Sequence, residues 1–203
     1  KNGKSTFTQV IRLVAGSDRV ECGNVIDWRS KGMLLKAVFP LSVSNPRATY
    51  DLGIGTIERG NNTEKLYEVP AQKWADITDV SGEYGVTVMN DCLYGWDKPG
   101  DGTLRLTMLH TPVPGSYEDQ AMQEIGRHRM AFAVMGHAGD WRRGGAVREA
   151  ARFNQPLIAF RTDRHDGFMG RSFSFMNVDT GRVAVKALKL AEESDEIVVR
   201  LVE

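Results

Sequence analysis

The sequence predicts an all-β protein, a large antiparallel β-sandwich with one short helix. Three observations support this prediction. Most segments alternate apolar and polar residues with a period of two, which is typical of strands with one buried face. Glycine, proline, asparagine and aspartate separate these segments at regular intervals and indicate turns. Long apolar stripes at helical spacing do not occur in the sequence, so an alternating βαβ arrangement is not favoured.

The stretch at 85–112 shows the alternation most clearly. In its second half Leu104 and Leu106 flank Arg105, and in its first half valines alternate with threonine and methionine. The residues between these halves are rich in glycine, aspartate and proline, so we predict a β-hairpin whose strands are joined by a long polar tip. Arg105 is the unusual residue of this hairpin, because it places a guanidinium in the middle of an otherwise apolar strand.

The other segments are assigned by the same rule. The further predicted strands or extended pieces are residues 5–14, 19–28, 33–41, 48–54, 67–76, 127–135, 156–161, 172–178, 183–190 and 196–202. Residues 55–63 and 111–122 are predicted loops. The only predicted helix is 144–153, which has a narrow apolar stripe and ends at Asn154-Gln155-Pro156. No linker divides the chain, so residues 1–203 are treated as one β-sandwich domain.

The charge balance limits the classes of partner. Lys plus Arg and Asp plus Glu number 26 each, so the net charge is zero, whereas nucleic acids and anionic membranes attract a basic excess. The sequence has no apolar run of about 18 residues and no signal-peptide pattern. We therefore expect a soluble protein without a nucleic-acid or membrane partner, and its compartment stays open. Because the sequence begins with Lys1 and not with Met, we expect it to be part of a longer protein.

The histidines do not predict a metal site. They are dispersed and form no His-x-x-x-His pair, whereas a zinc site needs clustered ligands; they are His110, His128, His137 and His165. We interpret His128 as a packed, hydrogen-bonded core residue because it alternates with Met130 and Phe132. His137 is predicted to lie in a turn, and residues 163–166 are predicted to form a solvated loop.

The acids, tryptophans and cysteines do not complete an active site either. Four carboxylates have the side-chain type that a catalytic pair of a glycosidase needs, but each is predicted to be a turn or surface residue. They are Asp76, Asp79, Glu83 and Asp91. The tryptophans could stack on sugars, but burial is the simpler prediction; they are Trp28, Trp74, Trp96 and Trp141. Cys22 and Cys92 are predicted to be buried thiols, and a disulfide between them stays open.

A series of blocks along the chain, taken together, resembles the C-terminal β region of glycoside hydrolase family 38, the α-mannosidases. These blocks include Leu34-Leu35-Lys36-Ala37-Val38-Phe39-Pro40, the distinctive Glu68-Val69-Pro70-Ala71-Gln72-Lys73-Trp74-Ala75-Asp76, residues 85–112, Phe153-Asn154-Gln155-Pro156-Leu157 and Val199-Arg200-Leu201-Val202-Glu203. They occur in order over nearly the whole chain. The sequence departs from the family at Gln123-Glu124-Ile125-Gly126, where Asp-x-Gly is commoner.

The resemblance implies a galactose mutarotase-like supersandwich that packs on an N-terminal catalytic barrel of the same chain. It implies that the parent is a zinc-dependent, retaining enzyme that hydrolyses terminal α-mannosides, with the zinc ligands and the nucleophile in the barrel. This sequence holds no match to the zinc motif, so it is expected to contain no catalytic residue, metal or cofactor, and to be inactive alone. By position, Arg105 matches the arginine that reaches the active-site rim in the family, which makes it the predicted substrate-binding residue.

Two other interpretations remain at this stage. One is a free-standing carbohydrate-binding sandwich; a reading frame upstream of Lys1 that encodes a His-x-Asp motif would favour the mannosidase instead. The other is an aldose epimerase of similar fold, which would need a His and Glu pair on facing strands that we cannot place. If a catalytic barrel normally covers the domain, its exposed apolar face should also promote self-association.

Overall fold

The computed structural model describes residues 4–113 and 122–203, and it confirms the predicted all-β class with one short helix. The strands within these residues are β1 (Thr6–Leu13), β2 (Arg19–Trp28), β3 (Met33–Pro40), β4 (Arg47–Asp51), β5 (Thr56–Gly60), β6 (Val69–Pro70), β7 (Trp74–Thr78), β8 (Tyr84–Asn90), β9 (Gly95–Gly100), β10 (Thr103–Thr111), β11 (Gly126–Ala138), β12 (Ala184–Leu190) and β13 (Ile197–Val202). The helix is α1 (Ala146–Asn154). The predicted loop at 111–122 lies largely outside the described residues.

The strands form three antiparallel sheets. Seven strands form the largest, in the order β1-β2-β11-β8-β7-β4-β5, and four form the second, in the order β3-β10-β9-β6. A separate two-stranded sheet pairs β12 with β13. Neighbours in each sheet run antiparallel, as the period-two patterns led us to expect.

The main core lies between the seven-stranded and four-stranded sheets. Side chains of alternating positions on both sheets meet there; they include Ile26, Tyr50, Ile77, Val88 and Phe132 from the larger sheet and Phe39, Trp96, Leu104 and Leu106 from the smaller. The rings of Phe39 and Phe132 cross between the sheets edge to face, with centroids 5.2 Å apart. This contact is the sandwich packing that the sequence predicts.

The helix covers part of the other face of the larger sheet. Ala146 and Ala150 of α1 are fully buried and belong to a second apolar cluster with Trp74, Met89 and Met135. Small side chains on one helix face let it approach the sheet closely. The larger sheet is therefore buried on both faces over β7, β8 and β11.

The chain divides into two compact units, Lys1–Leu157 and Ile158–Glu203. The first contains both large sheets and the helix, and the second contains the β12–β13 hairpin. The sequence carries no linker signal at this division.

The hairpin predicted over 85–112 is wrong. β8 belongs to the seven-stranded sheet and β10 to the four-stranded sheet, so the two predicted partners do not pair. The presumed polar tip contains a strand of its own, β9, which pairs with β10 across the short Asp101-Gly102 turn. Leu104 and Leu106 do share a buried face, as predicted, but that face belongs to the second sheet.

Three further assignments are also wrong. Residues 55–63 contain strand β5, which pairs along β4. Residues 156–161 and 172–178 form no strand, although the first is an apolar run and the second alternates Phe173 and Phe175 with serines. Their large side chains are exposed, for example Leu157 and Phe175. Apolar alternation alone does not make a strand, because a strand also needs a partner for its backbone hydrogen bonds.

The predicted tryptophan burial is confirmed for Trp28, Trp74 and Trp96, and Trp141 is half-buried against Trp74. Both cysteines are free thiols, and Cys92 is exposed, contrary to the prediction of two buried thiols. Of the helices in the described part of the chain, none has the length and apolar character needed to cross a membrane.

Candidate functional site

Arg105 lies on the face of β10 that points away from the core. Its neighbours Leu104 and Leu106 are fully buried between the sheets, and strand alternation sends the Arg105 side chain to the opposite face. The side chain is 35% exposed and is paired with a carboxylate, as expected for a guanidinium on this strand. This outer face of the four-stranded sheet carries the candidate site.

The carboxylate that holds Arg105 belongs to Asp97. Asp97 is the direct register partner of Arg105 across the β9–β10 pair. The Nε of Arg105 donates to Oδ1 of Asp97 over 2.5 Å, and the Asp97 side chain has no solvent exposure. Sequence reasoning missed Asp97, because its segment was assigned to a turn.

Asp97 accepts two other hydrogen bonds. Lys36 Nζ on β3 donates to Oδ2 over 2.5 Å, and Asn62 Nδ2 donates to Oδ1 over 3.2 Å. Burial by itself would raise the pKa of Asp97, but the hydrogen bonds from Lys36, Arg105 and Asn62 outweigh it and hold that pKa below its ordinary value. Asp97 is therefore a buried, ionised anchor with three donors around it.

A second acid completes the cluster. Glu68 accepts from Lys36 over 2.9 Å and from the Thr107 hydroxyl over 2.7 Å. To do so it crosses β9 at Gly95, where an added Cβ would overlap a carboxylate oxygen of Glu68 and lie 3.1 Å from the Cβ of Thr107. A glycine is thus required at position 95 for Glu68 to reach the cluster.

The turn beyond β9 is fixed by a buried lysine. Lys98 is 1% exposed, and its ammonium donates to the carbonyl oxygens of Asn45, Gly100 and Asp101 and to Oδ1 of Asn61. Burial lowers the pKa of Lys98, and nearby Asp101 opposes that effect. These bonds tie the β9–β10 turn to the neighbouring loops, and so fix the strand that carries Asp97.

The geometry leaves part of the Arg105 guanidinium free. Nε is used by Asp97, and the two terminal amino groups make no hydrogen bond with any residue in 4–113 or 122–203. These groups form the outer edge of a planar fork, the arrangement that binds two oxygen acceptors at once. The cluster can therefore bind and orient an oxygen-bearing group, but it holds no free nucleophile or general acid.

The structure contains a second buried polar cluster, in the seven-stranded sheet. His137 lies on β11 and not in a turn, and Asp76 is a buried residue of β7 and not a turn or surface acid, so both predictions were wrong. Nε2 of His137 is 2.8 Å from Oδ2 of Asp76, and the hydroxyls of Thr78 and Thr87 also donate to Asp76. The side chains of His137 and Asp76 are almost fully buried and Thr78 is half-buried, so we assign this cluster a structural role.

The remaining candidates fall where the sequence placed them or close by. His128 lies on β11 and hydrogen bonds through Nε2 to the Glu124 carbonyl, as predicted, but it is half-buried and not a core residue. Residues 163–166 form an exposed loop, as predicted, and Asp79 and Glu83 lie in the turn before β8. Asp91 is exposed beside β8 and accepts from the Ala131 amide.

The described residues do not fit the zinc ion that the family resemblance implies. In the described ranges, no three or more side chains of His, Cys, Asp or Glu are grouped so that they could hold a metal. Of the buried acids in these ranges, Asp76 and Asp97 already accept three hydrogen bonds each from protein side chains, and Asp51 accepts from the backbone amides of Gly53 and Lys73.

The fold and the site define an antiparallel β-sandwich domain that presents one pre-oriented arginine. A solved structure from Enterococcus faecalis, titled as a protein in the glycosyl hydrolase family 38, has a similar fold, with a TM-score of 0.82 and 20% identity. The likeness covers 96% of this chain and 23% of that chain. A second Enterococcus faecalis structure, titled as an alpha-mannosidase, also matches with a TM-score of 0.82 and 19% identity, over 96% of this chain and 23% of that chain.

The model of the glycosyl hydrolases family 38 C-terminal domain matches residues 1–118, and the chain belongs to this family. It is 28% identical to Alpha-mannosidase 2C1 of Mus musculus over 98% of this chain and 19% of that protein. It is 31% identical to an Alpha-mannosidase of Saccharomyces cerevisiae over 57% of this chain and 10% of that protein. The chain thus spans about a fifth of the length of the mammalian relatives.

Proposed function

We propose that this chain is the C-terminal β-domain of a zinc-dependent, retaining α-mannosidase that hydrolyses terminal α-mannosides. Family membership and the short span relative to the mammalian relatives support this proposal. The nucleophile and the zinc ligands belong to an N-terminal catalytic domain of the same chain, which packs on this domain. The β-domain alone does not hydrolyse mannosides.

Within that enzyme, Arg105 contacts the substrate at the rim of the active site. The observation that carries this role is the anchored guanidinium: Asp97 fixes Nε, and the two terminal amino groups stay available for an acceptor. A fixed fork of donors can bind two oxygens at once, which a lysine ammonium cannot do in the same geometry. The role is one of orientation, since an arginine stays protonated and does not exchange a proton.

The experiment that tests this role is Arg105→Lys in the full-length enzyme. We expect kcat/KM for an aryl α-mannoside to fall about tenfold or more, which corresponds to ~1.4 kcal/mol or more of transition-state binding. The fold should survive, because the charge and most of the aliphatic stem remain. Full activity in this variant would leave Arg105 with a structural role only.

Arg47→Lys is a matched control. Arg47 also donates through Nε to a carboxylate, that of Glu58 at 3.1 Å, and lies on β4 of the other sheet with 58% of its side chain exposed. Exposed ion pairs of this kind contribute little, so activity should stay within about twofold of wild type. An equal loss in both variants would show that any Arg→Lys change disturbs the enzyme.

The zinc dependence and the inactivity of the β-domain are tested separately. A chelator should abolish turnover by the full-length enzyme, and added Zn²⁺ should restore it. The purified 203-residue chain should show no turnover with or without Zn²⁺. Turnover by the chain, free of contaminating enzyme, would overturn the proposal that the catalytic groups lie in the N-terminal domain.

A further inference from the structure

We propose that Asp97 is a positioning residue for Arg105, and that the cluster around it selects a neutral oxygen acceptor, such as a sugar hydroxyl, over an anion. This inference rests on the proposed role of Arg105 and names both what orients the arginine and what chemical class it binds. Three features of the outer face carry it: the enclosure of Asp97, the charge balance of its neighbours and the apolar side chains beside them.

The enclosure of Asp97 explains how the arginine is oriented. Asp97 is held from β3, from β10 and from the loop before β6, by Lys36, Arg105 and Asn62. Its side chain has no solvent exposure. It binds Nε, and the two terminal amino groups donate to no other residue of 4–113 or 122–203. A fixed anchor of this kind lowers the entropy that Arg105 would lose on binding an acceptor.

The charge balance determines what acceptor the fork prefers. Lys36 and Arg105 bring two positive charges, and Asp97 and Glu68 bring two negative charges within hydrogen-bond distance of them. The cluster is therefore electroneutral, and an incoming anion would gain no net Coulomb attraction from it. A neutral oxygen still receives hydrogen bonds from charged donors, which are the stronger kind.

Part of the sheet face beside the cluster is apolar. Val38, the register partner of Arg105 on β3, is 56% exposed, and Leu34 on the same face is 48% exposed. Such a surface suits the C–H groups of a sugar ring better than the hydration shell of an anion. The outer face therefore combines anchored donors with exposed apolar side chains.

The first test is a double-mutant cycle in the full-length enzyme, with Asp97→Asn, Arg105→Lys and both together. If Asp97 acts through Arg105, each single variant should lower kcat/KM about tenfold, and the double variant also about tenfold and not a hundredfold. Independent roles predict the hundredfold loss, which would overturn the inference. Full activity in Arg105→Lys would instead overturn the proposed role of Arg105 itself, so the two failures can be told apart.

Asp97→Asn leaves Glu68 as the one carboxylate in the cluster opposite two cations, Lys36 and Arg105, and this imbalance destabilises the variant. The double variant Lys36→Met/Asp97→Asn removes one charge of each sign, so Glu68 and Arg105 keep the cluster neutral. It should fold, give the same roughly tenfold loss and show no further loss when Arg105→Lys is added. Wild-type activity in the folded Lys36→Met/Asp97→Asn variant would overturn the positioning role.

The second test concerns the charge of the acceptor and uses inorganic sulfate as the probe. Sulfate at tens of millimolar should inhibit the wild type and Arg105→Lys equally, since an electroneutral cluster gives it no preferred site. Competitive inhibition of the wild type that is weaker by about tenfold in Arg105→Lys would show that the fork binds an anion, and would overturn the neutral-acceptor inference.

Discussion

His137 and Asp76 form a buried pair, with Nε2 of the imidazole 2.8 Å from a carboxylate oxygen and side-chain exposures of 4% and 0%. The residues are 61 positions apart in the sequence and are joined by the register of β7, β8 and β11. Burial disfavours the charged imidazole, but the hydrogen bond and the charge of Asp76 outweigh it, so the pKa of His137 lies above its ordinary value.

This raised pKa predicts a pH-dependent stability. The folded state binds the His137 proton more tightly than the unfolded state, whose pKa is near 6.5. The stabilisation is therefore complete below about pH 6.5 and is lost as the pH rises through the folded-state pKa. We expect the free energy of unfolding in urea to fall as the pH rises above about 6.5 in the wild-type chain, and to fall less in His137→Gln.

His110→Gln is the matched control for this prediction. His110 is an exposed histidine of β10, so the substitution removes one imidazole without touching the buried pair. The control should keep the wild-type decline with pH. Identical pH profiles for the wild type and His137→Gln would contradict the assignment.

Two glycines make room for the imidazole. A Cβ added at Gly144 would overlap the ring of His137, and one added at Gly85 would lie 2.6 Å from it. Gly144→Ala should therefore displace the ring from Asp76 and destabilise the chain by about 1–3 kcal/mol, the usual range for overpacking. The measurement is urea unfolding at about pH 6, where the pair contributes most.

Gly136→Ala provides the comparison for Gly144→Ala. Gly136 lies on the same strand as His137, and a Cβ there would meet no atom within 4 Å. This substitution should change the free energy of unfolding by no more than about 0.5 kcal/mol. If Gly144→Ala were equally mild, the close packing around His137 would not limit stability.

The sequence predicts those parts of the fold that depend on local alternation. β2 is found at the predicted bounds, and α1 begins and ends within two residues of the prediction. The assignment of Leu104 and Leu106 to a buried face also holds, because a side-chain period of two does not depend on the strand's partner. These features follow from local geometry and burial.

The site was harder to predict, because its acid lies in a strand that resembles a turn. β9 contains Asp97, Lys98 and Pro99, residue types that are uncommon in strands. The Asp101-Gly102 dipeptide before β10 was the available signal, since Asp-Gly ahead of an alternating strand indicates a tight hairpin whose partner lies immediately upstream. The pairing of Asp76 with His137 had no local signal, because it depends on the register of three strands.

The buried ammonium of Lys98 predicts a large loss of stability on its removal. In Lys98→Met, three backbone carbonyls and the Asn61 side chain lose their donor inside the protein. We expect a loss of about 2–4 kcal/mol in the free energy of unfolding, measured in urea at pH 7. Lys65→Met, at an exposed loop position, should be nearly neutral. A mild effect of Lys98→Met would mean that water replaces the ammonium.

The last prediction concerns the edge strand β1. Every residue of β1 is exposed, and Phe7, Ile11 and Leu13 point to one face with exposures of 51%, 65% and 73%. β1 also ends the seven-stranded sheet, so its outer backbone groups have no strand beside them among the described residues. Exposed apolar edges of this kind promote association. The 203-residue chain should therefore self-associate as its concentration rises, as measured by light scattering.

Ile11→Lys should weaken this association, because it places a charge in the centre of the apolar face of β1. Ile54→Lys is the matched control, since Ile54 is 67% exposed but lies in the turn between β4 and β5. The control should associate like the wild type. A wild-type chain that stays monomeric at millimolar concentration, or equal weakening by both substitutions, would show that β1 is not the associating surface.

In the full-length enzyme, the proposed catalytic domain would compete for the same face, so Ile11→Lys should also lower the thermal stability of that enzyme more than Ile54→Lys does.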